Sequence, residues 1–366
     1  MISSLYIHIP FCAHICAYCD FSKVLYDENW AFSYIEELKK EVCSYSLQKN
    51  QLKTIYIGGG TPTCLKKELL KELLSFLSPY LKADGEFTIE GNPEDITDEL
   101  LAILKDGGIN RISLGMESSS KKYLTLMGRK HSYQDVKNAV ELIKKRGFEN
   151  ISVDLIYALP GEKLSVLKED IAAMLALNIP HLSAYSLTIN PGTSFYNKGF
   201  KEMDDSLEAD MYDLLLSSFR KAGYERYEVS NFAKPSFYSR HNLTYWHDDE
   251  YYGCGLGASG YVNGIRYTNT RSLSVYLKGK YRAEEEKISV ESQLEDFFLT
   301  NLRLKTGFTK KSFEMRFGYS FFTKFSTPFL KLQKDGLIQE NSDSIFVSDK
   351  GMLLLDRVLV ELFGKI

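Results

Sequence analysis

The chain has 366 residues, of which 44% are apolar and 25% are charged. It contains 45 Lys and Arg and 48 Asp and Glu, which gives a net charge of −3. This composition is typical of a globular protein with two domains, or with one large domain and an appendage, and it excludes a disordered scaffold. The small negative charge argues against binding to nucleic-acid phosphates, so we expect no nucleic-acid partner.

The sequence gives no sign of a membrane span or a secretory signal. The longest uncharged stretch, residues 172–197, is interrupted by Asn178, Pro180, His181 and Pro191. The N-terminal sequence MISSLYIHIPFC lacks the apolar core and cleavage site of a signal peptide. We therefore expect a cytoplasmic protein that contacts membranes, at most, through a partner.

Short apolar runs alternate with amphipathic stretches through the first 223 residues. The predicted strands are residues 4–9, 54–57, 86–90, 111–114, 151–156 and 181–187. The predicted helices between and after them are residues 30–48, 66–80, 98–105, 134–146, 164–177 and 207–222. Six strand-helix units predict a parallel sheet closed into a partial (β/α)6 TIM-like barrel, with strands that are continuously apolar because both faces are buried.

The later part of the chain changes in character. Residues 224–289 include an aromatic, Gly-rich block with little helical periodicity, which we expect to be an irregular or β-rich connecting region beside the barrel. Residues 290–366 predict three helices, a short hairpin and a final helix, in the pattern of a winged-helix-like module. From Lys305 onward the sequence has ten Lys or Arg and seven Asp or Glu, and this surplus of positive charge is too small for a DNA-binding surface. The predicted domains are therefore 1–223, 224–289 and 290–366.

Three cysteines lie on one short segment directly after the first predicted strand. Cys12, Cys16 and Cys19 form a CxxxCxxC pattern, and soft thiolate ligands select iron-sulfur or zinc sites. Three thiolates can hold three irons of a 4Fe-4S cluster and leave the fourth iron open to the amino and carboxylate groups of S-adenosylmethionine (SAM). The alternative is a zinc site with His8 or His14 as the fourth ligand.

Further motifs follow the next strands, at the edge where a parallel barrel carries its chemistry. A glycine run, residues 58–63 (GGGTPT), allows the backbone to approach a small ligand closely. We expect a side chain at Gly59 or Gly60 to weaken SAM binding while the cluster survives. Glu90, Arg129 and Asp154 occur after or near later strands, and this shared position favours a functional role. Considered alone, each would be interpreted as a helix-capping or salt-bridging residue.

Together these motifs resemble the radical SAM superfamily and, within it, the oxygen-independent coproporphyrinogen III oxidase family, over nearly the whole chain. The resemblance implies that Cys12, Cys16 and Cys19 hold a 4Fe-4S cluster. It further implies two sets of SAM-contacting residues, the first being Tyr6, Tyr18, Gly59 and Glu90 and the second being Gly60, Thr61, Glu117, Arg129, Asp154 and Thr188. The family usually has Gln where this chain has Glu117, and a carboxylate loses the two donors of a carboxamide.

Three features separate this chain from the decarboxylating oxidases. The decarboxylating oxidases resemble a CxxxCxxCxC pattern, whereas this chain has Phe21 at the position of the fourth cysteine. Because eleven residues precede Cys12, we expect the N-terminal segment that covers the substrate in those enzymes to be missing. Residues 240–246, RHNLTYW, match the HNxxYW signature of the heme-chaperone branch of the family. Decarboxylation of coproporphyrinogen III stays the alternative function, and a cluster-bearing DNA regulator is disfavoured by the charge of the tail.

The heme-chaperone resemblance implies heme as cargo, heme-acceptor proteins and an electron donor for the cluster, and it leaves a homodimer open. His241 is the first candidate for heme ligand, since imidazole ligates heme iron and the nearby Tyr245 and Trp246 offer flat apolar surface. A histidine hydrogen-bonded within an aromatic core would have the same sequence signature. His247, Tyr251 and Cys254 are alternative ligands.

Overall fold

The computed structural model describes residues 1–364. The first half of the chain forms the strands β1 (Ser4–Ile9), β2 (Phe11–Cys12), β3 (Val24–Leu25), β4 (Leu52–Gly59), β5 (Leu81–Gly91), β6 (Arg111–Glu117), β7 (Asn150–Tyr157) and β8 (His181–Ser186). The helices of this half are α1 (Glu28–Ser44), α2 (Lys67–Leu77), α3 (Asp98–Asp106), α4 (Lys121–Met127), α5 (Tyr133–Lys145) and α6 (Leu164–Ala176).

The six predicted strands lie side by side in one parallel sheet. They correspond to β1, β4, β5, β6, β7 and β8, which are neighbours in chain order, as strand-helix repeats require. The helices cover the outside of the sheet with one apolar stripe each; in α2, leucines at positions 69, 70, 73, 74 and 77 are buried. This arrangement is the predicted partial barrel.

The strands are not continuously apolar, and that part of the prediction is wrong. In β6, Ile112, Leu114 and Met116 are fully buried under the helices, whereas Arg111 and Ser113 on the opposite face line a cavity inside the barrel. Side chains alternate between the two faces of a strand, and only the outer face packs on helices. The inner face is polar because it surrounds a site rather than an apolar core.

The middle of the chain completes both edges of this sheet. Its elements are α7 (Ser194–Asn197), α8 (Asp205–Lys221), β9 (Glu225–Arg226), β10 (Asn231–Ala233), α9 (Arg240–Trp246), β11 (Tyr252–Cys254), β12 (Ser259–Val262), β13 (Ile265–Asn269), α10 (Leu273–Tyr276) and β14 (Arg282–Lys287). Strand β11 pairs in parallel with β1, and β10 and β9 extend the other edge in antiparallel fashion beyond β8. The connecting region therefore contributes strands to the barrel sheet itself, and the division at residue 223 stays a prediction.

The C-terminal part has its own core. It consists of α11 (Val290–Asn301), β15 (Phe308–Thr309), α12 (Lys310–Phe317), α13 (Phe321–Lys334), β16 (Ile338–Glu340), β17 (Ser344–Val347), α14 (Asp349–Met352) and α15 (Leu355–Phe363). Strands β16 and β17 form the predicted hairpin, and β15 joins it as a third strand. The core is dominated by phenylalanine, with Phe298 and Phe313 stacked and fully buried.

Within residues 1–364, none of the helices is both long enough and apolar enough to cross a bilayer.

Candidate functional site

A cavity of about 390 Å³ opens at the carboxyl ends of the barrel strands, within the usual size range of small-molecule sites. It brings together most of the predicted site residues, which come from segments far apart in sequence. Those that line it are Cys12, Cys16, Tyr18, Cys19, Gly59, Gly60, Thr61, Glu90, Glu117, Arg129, Asp154 and Thr188. Tyr6 and His241 lie elsewhere in the barrel.

The loop that carries the cysteines is held by backbone hydrogen bonds on both sides. The amide of Ala17 donates to the carbonyl of Met127 at 2.8 Å, and the amide of Phe195 donates to the carbonyl of Ala17 at 3.0 Å. A side-chain hydrogen bond of 2.7 Å from Asn190 to Asp20 adds a third connection. The three thiols are therefore presented at the cavity by a loop whose position is set by α4 and by the segment after β8.

The donor set fits an iron-sulfur cluster better than a single metal ion. In residues 1–364, no three His, Cys, Asp or Glu side chains converge on one point as a mononuclear site requires. A cubane places each thiolate on a different iron, so its ligands are spaced around it. Burial raises the pKa of Cys12 to about 11, hence its thiol releases a proton when it becomes a ligand.

The geometry does not support zinc ligation by His8. Its Nε2 lies 2.7 Å from the carbonyl oxygen of Ser22 and its Nδ1 lies 3.1 Å from the hydroxyl of Tyr6, so both ring nitrogens are engaged. Burial lowers the pKa of His8 to about 4. His14 is more exposed and lines the same cavity as the three cysteines, with its Nε2 4.0 Å from Glu94, so the geometry leaves it open as a ligand.

The Cβ position of each glycine in the run is occupied by a neighbouring protein group. A Cβ on Gly58 would lie 2.8 Å from the Glu90 carboxylate, and Gly59 has φ +113°, which disfavours any side chain. A Cβ on Gly60 would lie 2.9 Å from the sulfur of Cys12. The expectation that a side chain at Gly60 leaves the cluster unaffected is therefore revised, because the added Cβ would crowd the Phe11 carbonyl oxygen at 2.6 Å and the sulfur of a proposed cluster ligand.

Two carboxyl groups that line the cavity can pair with the cationic groups of a ligand. Glu90 accepts hydrogen bonds from the Tyr56 hydroxyl at 2.7 Å and from the Gly59 amide at 3.1 Å, and burial raises its pKa. Burial, reinforced by the neighbouring Glu117, raises the pKa of Asp154 to about 7. A ligand with a sulfonium and an ammonium group would offset the cost of these buried charges. The residues present thus fit SAM.

Several cavity residues were not predicted, although a pattern in the sequence indicates them. The polar side chains at alternate positions of β6, β7 and β8 line the cavity: Arg111, Ser113, Ser152, Ser183 and Tyr185. Tyr185 exposes 41% of its surface and lines this space. A period-two alternation of polar residues within strands expected to be wholly apolar indicates an interior site.

The HNxxYW motif forms a plug at the opposite end of the barrel. Thr244 of α9 contacts Ser4 at the start of β1, and the amides of Arg240 and His241 donate to the carboxylate of Glu86, which pairs with Thr54 near the start of β4. These contacts lie at the amino ends of the strands, whereas the cysteine loop follows the carboxyl end of β1. The motif therefore closes the barrel floor.

His241 is not placed to ligate heme in this structure. It is 1% exposed, with Nδ1 2.8 Å from the Thr54 hydroxyl and Nε2 2.8 Å from the Tyr245 hydroxyl. Burial lowers its pKa to about 3. Because both ring nitrogens are occupied, the geometry corrects the choice of His241 as first ligand and matches a histidine hydrogen-bonded within an aromatic core. Cys254 is also fully buried, whereas His247 is exposed.

The parallel barrel with three cysteines on its first loop defines a radical SAM protein. Residues 6–174 match the radical SAM superfamily, and residues 288–354 match the HemN C-terminal domain. The structure of coproporphyrinogen III oxidase (HemN) from Escherichia coli superposes with a TM-score of 0.85, covering 99% of this chain and 90% of that chain. At 22% sequence identity, this likeness establishes the shared fold alone.

Relatives with higher sequence identity indicate a particular family within this superfamily. The chain is 42% identical to the heme chaperone HemW of Lactococcus lactis over 97% of this chain and 96% of the relative. It is 38% identical to the heme chaperone HemW of Bacillus subtilis, over 99% of this chain and the whole relative, and 33% identical to that of Escherichia coli, over 98% and 97%. The chain belongs to the HemW family.

Proposed function

We propose that this protein is a heme chaperone, which binds heme and transfers it to acceptor proteins in the cytoplasm. The observation that carries the proposal is the 42% identity, over nearly the whole chain, to the heme chaperone HemW of Lactococcus lactis. Phe21 in place of a fourth cysteine and the HNLTYW segment agree with this branch rather than with the decarboxylating oxidases. An electron donor for the cluster is part of the proposal.

Within this proposal, the cavity holds a 4Fe-4S cluster on Cys12, Cys16 and Cys19 with SAM beside it. When bound, such a cluster supplies the electron that cleaves the sulfonium of SAM. Glu90 and Asp154 offer carboxylates to the cationic groups of SAM, and the closely packed glycine run brings its backbone to the same space. Thr61 and Thr188 line the remaining wall.

The accessible imidazoles point to a different heme ligand from the one first expected. Of the six histidines, four have both ring nitrogens within 3.4 Å of protein acceptors or donors: His8, His131, His181 and His241. His14 lies on the cysteine loop. His247 directly follows the HNLTYW segment and is exposed, and we assign the iron ligand to it.

The residue before His247 offers an aromatic surface and a nearby cation for a flat ligand that carries carboxylates, whereas Asp248, Asp249 and Glu250, which follow His247 directly, oppose an anionic ligand. The neighbouring Trp246 ring has the guanidinium of Arg303 at 4.7 Å from its centroid, so an aromatic surface and a cation occur together. Heme has an apolar macrocycle, which packs against an aromatic surface, and two carboxylates, which pair with a cation. An exposed ligand also suits a carrier that must release its cargo.

The test is a heme titration followed by absorption spectroscopy, with wild type, His247→Ala and His241→Ala compared at equal cluster content. We expect His247→Ala to shift the absorption band and weaken binding at least several-fold, while folded His241→Ala retains the wild-type spectrum. Unchanged heme binding in His247→Ala would refute this ligand. A parallel anaerobic assay should show no conversion of coproporphyrinogen III, and ordinary turnover in that assay would refute the chaperone function.

A further inference from the structure

Arg129 is a buried cation that reaches one of the cluster cysteines. Its Nη1 lies 3.6 Å from the Sγ of Cys16, and its Nη2 donates to the carbonyl of Gly115 at 2.6 Å. The side chain is 7% exposed. Burial opposes its charge, but Glu117, Tyr18 and Cys16 outweigh that effect and raise the pKa of Arg129, so it stays a guanidinium.

Glu117 contacts the same guanidinium from the other side. Its Oε1 lies 3.3 Å from Nη2 of Arg129, and its side chain is 11% exposed. Glu117 has φ +62°, a left-handed conformation that is uncommon for residues other than glycine. The backbone is held in this unusual conformation where the carboxylate meets Arg129 at the end of β6.

The space around this pair leaves little room for another arrangement. A Cβ on Gly115 would lie 2.4 Å from Nη2 of Arg129 and 2.5 Å from Oε1 of Glu117. A side chain at residue 115 would therefore displace the guanidinium, the carboxylate or both. The cluster cysteine, the cation and the carboxylate form a continuous series of contacts.

Charges and hydrogen bonds at the cluster sulfurs are among the factors that set the reduction potential of an iron-sulfur cluster. A guanidinium that donates to a thiolate stabilises the reduced cluster, which carries one more negative charge. A carboxylate on the far side of that guanidinium has the opposite effect, because it offsets the positive charge and repels the added electron. Both effects are stronger than in bulk water, because the Arg129 and Glu117 side chains are largely buried.

We propose that Glu117 acts as a positioning residue that lowers the reduction potential of the cluster through Arg129. The inference rests on the cluster assigned under the proposed function. Glu117 holds the guanidinium against Cys16 and offsets part of its charge. The Glu117 carboxylate thus makes the reduced cluster a stronger electron donor toward SAM.

The test is a redox titration of the reconstituted protein without SAM, with dithionite as reductant and electron paramagnetic resonance of the reduced cluster as readout. In Glu117→Gln we expect the equilibrium to shift toward the reduced cluster by about tenfold, equivalent to about 59 mV for a one-electron couple. In Arg129→Gln the shift should have the opposite sign. Glu162→Gln, which removes another buried carboxyl group that does not line the cavity, is the matched control and should leave the potential unchanged.

Iron and sulfide analysis of each variant separates this inference from the cluster assignment. Full cluster content with an unchanged potential in Glu117→Gln would overturn the role of Glu117 and leave the cluster in place. A shift toward the oxidised cluster in that variant would also overturn it. If Arg129→Gln does not assemble a cluster, Glu117→Gln still decides the matter, because it keeps Arg129 and the shape of the side chain.

Discussion

Arg316 of α12 forms a two-point contact with Asp248, the second residue after α9. One guanidinium nitrogen lies 2.5 Å from the carboxylate and the other donates to the backbone carbonyl of Asp248 at 3.1 Å. The Asp248 side chain is 7% exposed and that of Arg316 is 25% exposed. This contact links the C-terminal part to the helix that closes the barrel floor.

Removing Arg316 should therefore destabilise the protein. We expect Arg316→Met to lower the free energy of unfolding by about 1–3 kcal/mol at pH 7, since it leaves a buried carboxylate unpaired. Burial already raises the pKa of Asp248 to about 6, above its unfolded value, so Asp248 disfavours folding increasingly as the pH rises from about 4 to 6. The loss in Arg316→Met should accordingly be smaller at pH 4 than at pH 7.

Urea denaturation at the two pH values measures this effect. The double variant Arg316→Met with Asp248→Asn serves as the control, because it removes the charge as well as its partner, and it should recover part of the loss. An equal loss at both pH values would contradict the role of Asp248.

Gly60→Ala should reduce cluster assembly as well as SAM binding. The added Cβ would meet the sulfur of Cys12 and the carbonyl of Phe11, and neither can move without shifting the cysteine loop. Iron and sulfide content after anaerobic reconstitution should fall at least twofold. Gly107→Ala, where φ is −76° and a Cβ would crowd the Leu74 side chain at 2.5 Å far from the cysteine loop, is the control for a general effect of crowding a glycine. Wild-type iron content with weaker SAM binding would restore the original expectation for the glycine run.

SAM affinity should increase between pH 6 and pH 8. The pKa of Asp154 is raised to about 7, so the carboxyl group is largely protonated at pH 6 and ionised at pH 8, when it attracts a cationic ligand. Calorimetric titration should show severalfold tighter binding at the higher pH. Asp154→Asn should bind with an affinity that varies little over this range. A pH dependence of equal size in both proteins would assign the effect to another group.

His241→Ala should be costly for stability. The change removes two side-chain hydrogen bonds, leaves the Thr54 and Tyr245 hydroxyls unpaired, and opens a cavity against the stacked ring of Tyr56. We expect a loss of about 2–4 kcal/mol in the free energy of unfolding. His247→Ala is the matched control and should unfold like the wild type. Wild-type stability in His241→Ala would leave the barrel-plug interpretation without support.

The strand order and the cysteine loop were predictable because both follow from patterns within short stretches of sequence. Apolar runs separated by amphipathic stretches specify parallel strand-helix units, and the spacing of Cys12, Cys16 and Cys19 specifies one loop. The position of His241 was not predictable in this way. Its partner Thr54 is 187 residues away, and only the closed barrel shows that the imidazole faces inward.

The inner face of the barrel was missed for a different reason. Parallel strands are usually apolar on both faces, and the expectation of continuously apolar strands rests on that rule. The rule fails where a closed sheet surrounds a ligand, and the alternation of Arg111, Ser113 and Gly115 with apolar residues in β6 carried the correct information.

Strand β1 obtains its outer neighbour, β11, from residues more than two hundred positions later in the chain. At a synthesis rate of about 5–20 residues per second, roughly 12–50 s separate the appearance of Cys12 from that of Cys254 at the ribosome. During this interval one edge of β1 lacks its partner strand, although all three cysteines have already been made. The chain order thus places completion of the barrel sheet at a late stage of biosynthesis, well after the cysteine loop has been made.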